Sequence, residues 1–257
     1  MSGAFPPAPP DRLGRQDWAL FLDIDGTLLE HAPHPDAVVV DPFLRTLLAA
    51  LQDELGGALA FVTGRSVAAV DRLFTPLKLR AAGLYGLEHR LHPDGPVEAA
   101  NEPADIAALA EEVAAEFAGR DVYVERKGPI LAIHTRAAPD LLARSIELVE
   151  RALSRLPPGY RVLPGNAGVE LMPLEAAKGA AIRRFLGMAP FRGRLPVFLG
   201  DDTSDENGFE AINDAGGVSI RVKPAGPTNA AYSVRGVADA LRWLRGRLDR
   251  DCPLGAG

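Results

Sequence analysis

Three short runs of this chain read as continuous apolar segments: Trp18-Ala-Leu-Phe-Leu-Asp-Ile, Ala58-Leu-Ala-Phe-Val and Leu195-Pro-Val-Phe-Leu. A strand with one wet face alternates apolar and polar residues, whereas an unbroken run of this length suits a strand covered on both faces. Between the runs lie segments with helical apolar spacing. One spans Asp41 to Leu55, with Asp41 as N-cap and Pro42 in the first helical position, and another runs from Ser66 to about Phe74. Arg80 to Tyr85 reads as a third strand of this half. Strands alternating with helices of this size predict an α/β fold, a doubly wound, Rossmann-like parallel sheet with helices on both faces. The same pattern returns late in the chain, with a helix from about Lys178 to Leu186, a strand at Val218 to Val222 and a closing helix from about Val234 to Leu248.

The pattern breaks near residue 100. Pro103 to Phe117 reads as an Ala/Glu-rich amphipathic helix. Val122 to Glu125 and Ile130 to Arg136 read as strands of a hairpin turning at Lys127-Gly128-Pro129. A helix from Pro139 to about Leu156 follows, then strands at Tyr160 to Leu163 and Val169 to Met172, with a turn at Pro164-Gly165-Asn166. Helix, two strands, helix, two strands describes an α+β module. The predicted organisation is therefore a flexible tail at 1–16, a core at 17–100 and 173–257, and an inserted α+β domain at 101–172.

Composition excludes several classes of function. The chain has 257 residues, 47% of them hydrophobic, enough to bury a core. A net charge of −6 repels polyanions, which argues against nucleic acid or an anionic membrane as the main partner. No segment approaches the run of about 20 apolar residues that crosses a bilayer, and the N-terminus has no basic, apolar signal pattern. A single cysteine, Cys252, allows neither an intrachain disulfide nor a cysteine zinc site. A soluble, cytoplasmic monomer acting on a small molecule is the expectation.

Four segments carry the chemistry. Asp23-Ile-Asp-Gly-Thr-Leu stands at the end of the first strand, where alternation would send Asp23 and Asp25 to one face. Two carboxylates so placed repel unless a cation or a shared proton relieves them. A hard, oxygen-seeking ion such as Mg²⁺ would do so; an Asp-rich solvated turn would carry the same letters. Phe61-Val-Thr-Gly-Arg ends the second run. Thr63 supplies a hydroxyl, Gly64 permits close backbone approach, and the helix beyond offers an N-terminus to phosphate oxygens, although a threonine before a helix can also be only a cap. Lys178 opens a helix, an end its charge disfavours, so an anion within reach would explain its place. Gly200-Asp-Asp-Thr-Ser-Asp puts Asp201, Asp202 and Asp205 after another apolar run, again costly without a cation. The histidines His31, His34 and His92 fall in loops with no zinc-site spacing.

In order and wording, these segments resemble the four motifs of the haloacid dehalogenase (HAD) superfamily of phosphotransferases, over most of residues 18–222. The resemblance implies a carboxylate nucleophile at Asp23 that takes phosphorus as an acyl phosphate. It implies Asp25 as general acid and base, and Thr63 and Lys178 on the phosphoryl oxygens, with Gly64 and Arg65 beside them. Mg²⁺ would be held by Asp23, the Asp25 carbonyl and Asp201, with Asp202 and Asp205 as helpers.

Further stretches look like the trehalose-6-phosphate phosphatases: Gly83-Leu-Tyr-Gly-Leu-Glu-His-Arg, Val124-Glu-Arg-Lys-Gly-Pro, Ile133-His-Thr-Arg, Val169-Glu-Leu-Met-Pro and Gly200-Asp-Asp-Thr-Ser-Asp-Glu-Asn-Gly-Phe. That likeness implies that the inserted domain is a cap closing over a disaccharide. Glu125, Lys127 and Glu170 fall at its sugar-contacting positions, with His134 and Arg136 beside them. In that family His-Gly commonly stands where this chain has Tyr85-Gly86, with His89 three residues on. A phosphatase for sucrose phosphate or another sugar phosphate, and a non-catalytic sugar-phosphate sensor, are the alternatives; the sensor should have lost an acid or the lysine, and none is missing.

Overall fold

A computed structural model describes residues 5–10, 17–32, 38–100, 103–156, 158–165 and 167–248. His34, Asn166, Cys252 and most of the predicted tail lie outside the described residues. The described residues divide into two units, one formed by those up to Glu98 together with those from Ala177, the other by those within Ala99–Ala176.

The elements run β1 (Trp18–Leu22), α1 (Pro42–Glu54), β2 (Leu59–Val62), α2 (Val67–Phe74), β3 (Arg80–Gly83), β4 (Glu88–Arg90) and β5 (Glu98–Ala99). Then come α3 (Ala104–Glu116), β6 (Tyr123–Lys127), β7 (Ile130–His134), α4 (Leu142–Leu153), β8 (Tyr160–Gly165) and β9 (Gly168–Pro173). The chain ends with α5 (Lys178–Leu186), β10 (Leu195–Gly200), α6 (Glu206–Asp214), β11 (Val218–Val222), β12 (Tyr232–Val234) and α7 (Val237–Arg245).

The first unit holds an eight-stranded sheet in the order β12-β11-β10-β1-β2-β3-β4-β5. From β12 to β3 every pairing is parallel, and β4 returns antiparallel to β3. All residues of β1, β2 and β11 are buried. Successive side chains point to opposite faces, so both faces of the sheet are covered. From β1 the chain steps outward through β2 and β3, and later outward on the other side through β10, β11 and β12. With right-handed crossovers, these opposite directions put helices on opposite faces. Asp41 caps α1 as its sequence requires, its Oδ1 accepting the Phe43 N–H at 2.8 Å.

The second unit is a four-stranded antiparallel sheet, β6-β7-β9-β8. Leu131, Ile133, Val169 and Leu171 pack with Ile106, Leu109 and Val113 of α3 and Val149 of α4. The residues between them in sequence face away from that core.

Several elements differ from expectation. The strand predicted over 80–85 ends at Gly83, because Leu84 and Tyr85 take left-handed backbone angles. The closing helix starts at Val237 rather than Val234, which belongs to the edge strand β12. That strand is held by the N-terminal segment: the Ser233 N–H donates to Pro7 O at 2.8 Å. The sequence reading contains no counterpart of β4, β5, α6 or β12.

Phe21 sits at the centre of the first unit, fully buried, with Phe191 stacked on it at 5.3 Å and Phe185 at 6.1 Å. Phe21→Ala is expected to cost about 3–5 kcal/mol, read from urea unfolding of the first unit followed through Trp18 and Trp243 fluorescence. A loss below ~1 kcal/mol would show that this cluster is not the anchor of the sheet.

Candidate active site

The strand order reverses between β1 and β10, and open α/β sheets bind ligands outside the carboxyl ends of the strands at such a point. Leu22 pairs with Leu199, and the Asp23 N–H donates to Leu199 O at 3.0 Å. The register therefore brings Asp23 beside the loop that carries Asp201, Asp202 and Asp205.

Lys178, the first residue of α5, reaches this crevice. Its Nζ donates to Asp23 Oδ1 and to Asp205 Oδ1, both at 2.7 Å, and all three side chains are buried. Burial alone would lower the pKa of the Lys178 ammonium, but Asp205 and Asp23 outweigh it and the group stays charged. Asp205 Oδ2 accepts the backbone N–H groups of Asp201 and Asp202, each at 3.0 Å, so both of its oxygens are occupied. Asp202 turns away to cap the short turn at Thr203–Asp205, accepting the Thr203 N–H at 2.7 Å. The α5 N-terminus gains an uncharged partner as well, with the Gly179 N–H donating to Asn207 Oδ1 at 2.7 Å.

Asp23 and Asp25 take different partners, Lys178 and Arg65. β1 ends at Leu22, and the chain then turns tightly through Gly26, whose φ of +79° suits glycine. Asp25 is instead gripped by Arg65, whose Nε and Nη2 donate to its two oxygens at 2.6 Å each. Such a bidentate fork is among the stronger charge-assisted contacts. Thr63 is buried, and its Oγ1 accepts the Arg65 N–H at 3.2 Å. It is not the cap of α2; Ser66 is, with its Oγ accepting the Ala69 N–H.

Asp201 completes a group with Asp23 and Asp205 whose carboxylate oxygens lie within 4.8 Å of one another. His31 Nε2 stands 3.2 Å from Asp201 Oδ2. A Cβ at Gly26 would lie 1.9 Å from that same oxygen, so only glycine lets the Asp201 carboxylate come so near the first loop. Burial raises the Asp23 carboxyl well above the usual range; Lys178 opposes the rise, while Asp205 and Asp201 add to it. Burial raises Asp201 too, against the His31 hydrogen bond. An all-carboxylate cluster with more negative charge than its one ammonium balances could hold a hard divalent cation.

In the second unit, Glu125, Lys127, His134 and Glu170 share the helix-free face of the sheet. The register sets Glu125 opposite Ala132 and Ala132 opposite Glu170, so all three point the same way. Lys127 Nζ donates to Glu170 Oε1 at 2.5 Å, and His134 Nε2 lies 2.8 Å from Glu125 Oε2. Among the described residues Glu170 Oε2 is buried without a hydrogen-bond partner, an acceptor that a ligand hydroxyl could satisfy.

The sequence reading gave no role to Thr27, His31 or Asn207, which the structure puts at the first-unit site; Thr27 Oγ1 donates to Asp23 Oδ2 at 3.3 Å. Tyr85, marked in the sequence as the departure from the family's His-Gly, has its ring 5.8 Å from Lys178 Nζ. Thr27 and Asn207 stand within quoted motifs, whereas the place of His31 depends on tertiary approach. His89, in contrast, is buried on β4 with its ring near Phe185 at 6.4 Å, in the core rather than at this crevice.

A doubly wound sheet with these acids and this lysine at its switch point defines a HAD-type phosphatase fold. It is similar in structure to a solved phosphatase of the haloalkanoate (HAD) enzyme superfamily from Bacteroides thetaiotaomicron, with a TM-score of 0.56 and 18% identity over 95% of this chain and 97% of that one. The chain belongs to the trehalose-phosphatase family, whose profile matches residues 21–238, and it is a phosphoric monoester hydrolase. It is 47% identical over 229 residues to a probable trehalose-phosphate phosphatase of Sinorhizobium fredii, covering 89% of this chain and 86% of the relative. It is 38% identical over 231 residues to the trehalose-6-phosphate phosphatase of Escherichia coli K12, covering 88% and 85%. The resemblance drawn from the motifs holds.

The raised carboxyls imply a pH signature. A group whose folded pKa lies above its unfolded value adds stability at low pH, and that stability is lost as pH rises through the folded pKa. A divalent cation must displace those protons and then offsets the loss. The gain in Tm from added divalent cation should therefore grow as pH rises from about 4 to 7, read by scanning fluorimetry. A gain that shrinks over that range would contradict the assignment of Asp23 and Asp201 to the cation.

Proposed function

We propose that this chain hydrolyses trehalose 6-phosphate to trehalose and phosphate, with Mg²⁺, through an aspartyl phosphate on Asp23. The observation that carries the reading is the buried Lys178 bridging Asp23 and Asp205 at the switch point, with Asp201 alongside. The substrate comes from the named relatives, one 47% and one 38% identical over most of the chain.

In this reading Asp23, its orientation fixed by Lys178, attacks phosphorus; the new O–P bond forms as the bond to the sugar oxygen breaks. Asp25 protonates the departing oxygen and then takes the proton of the water that releases phosphate. Because Arg65 occupies both Asp25 oxygens, that work begins when the phosphate draws the guanidinium toward itself, which gives Arg65 a substrate-binding role. Thr63 presents its hydroxyl to the phosphoryl oxygens, with Gly64 beside it, its open side covered by the Tyr85 phenol. Asp23, Asp201 and the Asp25 carbonyl would hold Mg²⁺, which when bound offsets charge on the phosphoryl group. Asp205, saturated by Lys178 and two amides, orients the site rather than ligating, and the capping by Asp202 does the same for the loop. In the second unit, as a cap, the face bearing Glu125, Lys127, His134 and Glu170 supplies donors and acceptors suited to sugar hydroxyls. The reading takes a single chain in the cytoplasm as the working unit.

A substrate panel with and without Mg²⁺ tests the assignment. Phosphate release from trehalose 6-phosphate should exceed that from glucose 6-phosphate and sucrose phosphate by at least about tenfold in kcat/KM; equal rates would remove the substrate claim. Asp23→Asn nearly conserves volume and should lower turnover by at least about 10³-fold while leaving the far-ultraviolet circular dichroism unchanged. Substantial residual turnover would rule out the covalent route. Glu170→Gln should raise KM for trehalose 6-phosphate by about tenfold with a smaller change in kcat.

A further inference from the structure

Arg221 stands on β11, whose residues are all buried, and its side chain is buried with them. It shares a face of the sheet with Ser219, and both reach α6. Ser219 Oγ donates to Asn213 Oδ1 at 2.6 Å, and Arg221 Nη1 donates to Glu206 Oε1 at 2.7 Å. Among the described residues the Arg221 Nε is buried without a hydrogen-bond partner. A buried ion pair with an unmet donor is a poor source of stability, and an apolar side chain would fill the same space at lower cost. Packing does not account for a guanidinium at this place.

Its second contact does. The same Nη1 donates to the backbone carbonyl of Asp202 at 2.9 Å. The register sets Arg221 beside Gly200, the last residue of β10, so the guanidinium meets the chain where it enters the Asp201–Asp205 loop. The N–H groups of Asp201 and Asp202 are held from the other side by Asp205 Oδ2, each at 3.0 Å. Residues 201 and 202 are thus tied by their amides to a carboxylate and by a carbonyl to a guanidinium. Glu206 fixes that guanidinium and is itself fixed: its Oε1 also accepts Thr228 Oγ1 at 2.8 Å, and its Oε2 accepts the Asn229 N–H at 2.6 Å. Glu206 lies outside the acidic group suited to a cation, and no step of the proposed chemistry uses it or Arg221.

We infer that Arg221, oriented by Glu206, is a positioning residue for the cation: by holding the Asp202 carbonyl it keeps the Asp201 carboxylate facing Asp23. The inference deepens the Mg²⁺ reading and rests on it. A cation held between Asp23 and Asp201 needs their spacing set before it arrives, because ordering the loop on binding would be subtracted from its affinity. Loss of a group that orients a metal ligand typically weakens metal binding by about 10–100-fold. Arg221 touches neither carboxylate, so its loss should spare the contacts to the sugar phosphate.

The test measures Mn²⁺ binding to chelator-treated wild type and variants, from the paramagnetic resonance of the free ion, with Mg²⁺ as competitor. Tm without cation, and kcat and KM for trehalose 6-phosphate at saturating Mg²⁺, accompany it. Arg221→Met should raise the Mn²⁺ dissociation constant by at least about tenfold, with KM within about twofold of wild type once Mg²⁺ saturates. Arg194→Met is the control: Arg194 also donates to backbone carbonyls, those of Trp18 and Leu55, but at the opposite end of β10. It should leave the Mn²⁺ constant unchanged whatever it does to Tm. Glu206→Gln nearly conserves volume and should weaken Mn²⁺ binding severalfold, and it carries the test if Arg221→Met fails to fold. An unchanged Mn²⁺ constant in Arg221→Met, or in Glu206→Gln where that variant stands in, would overturn the inference. Equal weakening in Arg194→Met would do the same. Wild type that binds neither ion would instead remove the Mg²⁺ reading itself.

Discussion

The Lys178 ammonium ties together segments far apart in sequence. It begins α5, touches Asp23 at the end of β1, and touches Asp205 in the loop after β10. A lysine at a helix N-terminus works against the helix dipole, and burying it works against its hydration. Two carboxylates at 2.7 Å reverse both penalties. Asp205 in turn fixes the following loop by accepting the N–H groups of Asp201 and Asp202. Removing one partner of such a buried set typically costs about 3–5 kcal/mol, because the other charges stay behind. The same contacts that close the fold therefore orient the candidate nucleophile, and the site needs no separate scaffold.

The two units solve their packing differently, and that difference assigns their polar residues. The parallel sheet is covered on both faces, so its functional groups can stand only at the strand ends, where Asp23, Thr63 and Asp201 are found. The antiparallel sheet is packed by α3 and α4 on one face, leaving the other for Glu125, Lys127, His134 and Glu170. All four side chains are paired within the face, Lys127 with Glu170 and His134 with Glu125, so they keep fixed positions while still offering acceptors such as Glu170 Oε2.

What was legible in the sequence follows from how local each cause is. Unbroken apolar runs gave away β1, β2 and β10, and capping chemistry at Asp41-Pro42 gave away α1, because these signals act within a few residues. Glu88-His89-Arg90 has no apolar pattern; it is a strand because Arg90 is buried against Asp71 and the Leu79 carbonyl, partners many residues away. β12 is similarly obscure, since part of its pairing comes from Pro7 at the far end of the chain. At the site, the types and order of the acids were readable, but their partners were not. Strand alternation put Asp23 and Asp25 on one face but could not show that Lys178 takes the one and Arg65 the other.

The balance of charge in the crevice leads to a cation. Asp23, Asp201 and Asp205 carry three potential negative charges against one ammonium, and the partners are distributed unevenly. Asp205 has the ammonium and two amides. Among the described residues Asp23 has the ammonium on one oxygen and only the longer Thr27 contact on the other. Asp201 has His31, whose side chain is partly exposed. The shortfall therefore falls on Asp23 and Asp201, the two carboxyls whose pKa burial raises. Protons can make up the deficit at low pH, but a protonated Asp23 is a poor nucleophile. A divalent cation between these two oxygen sets would meet the same deficit while leaving Asp23 ionised, which is what an attack on phosphorus requires.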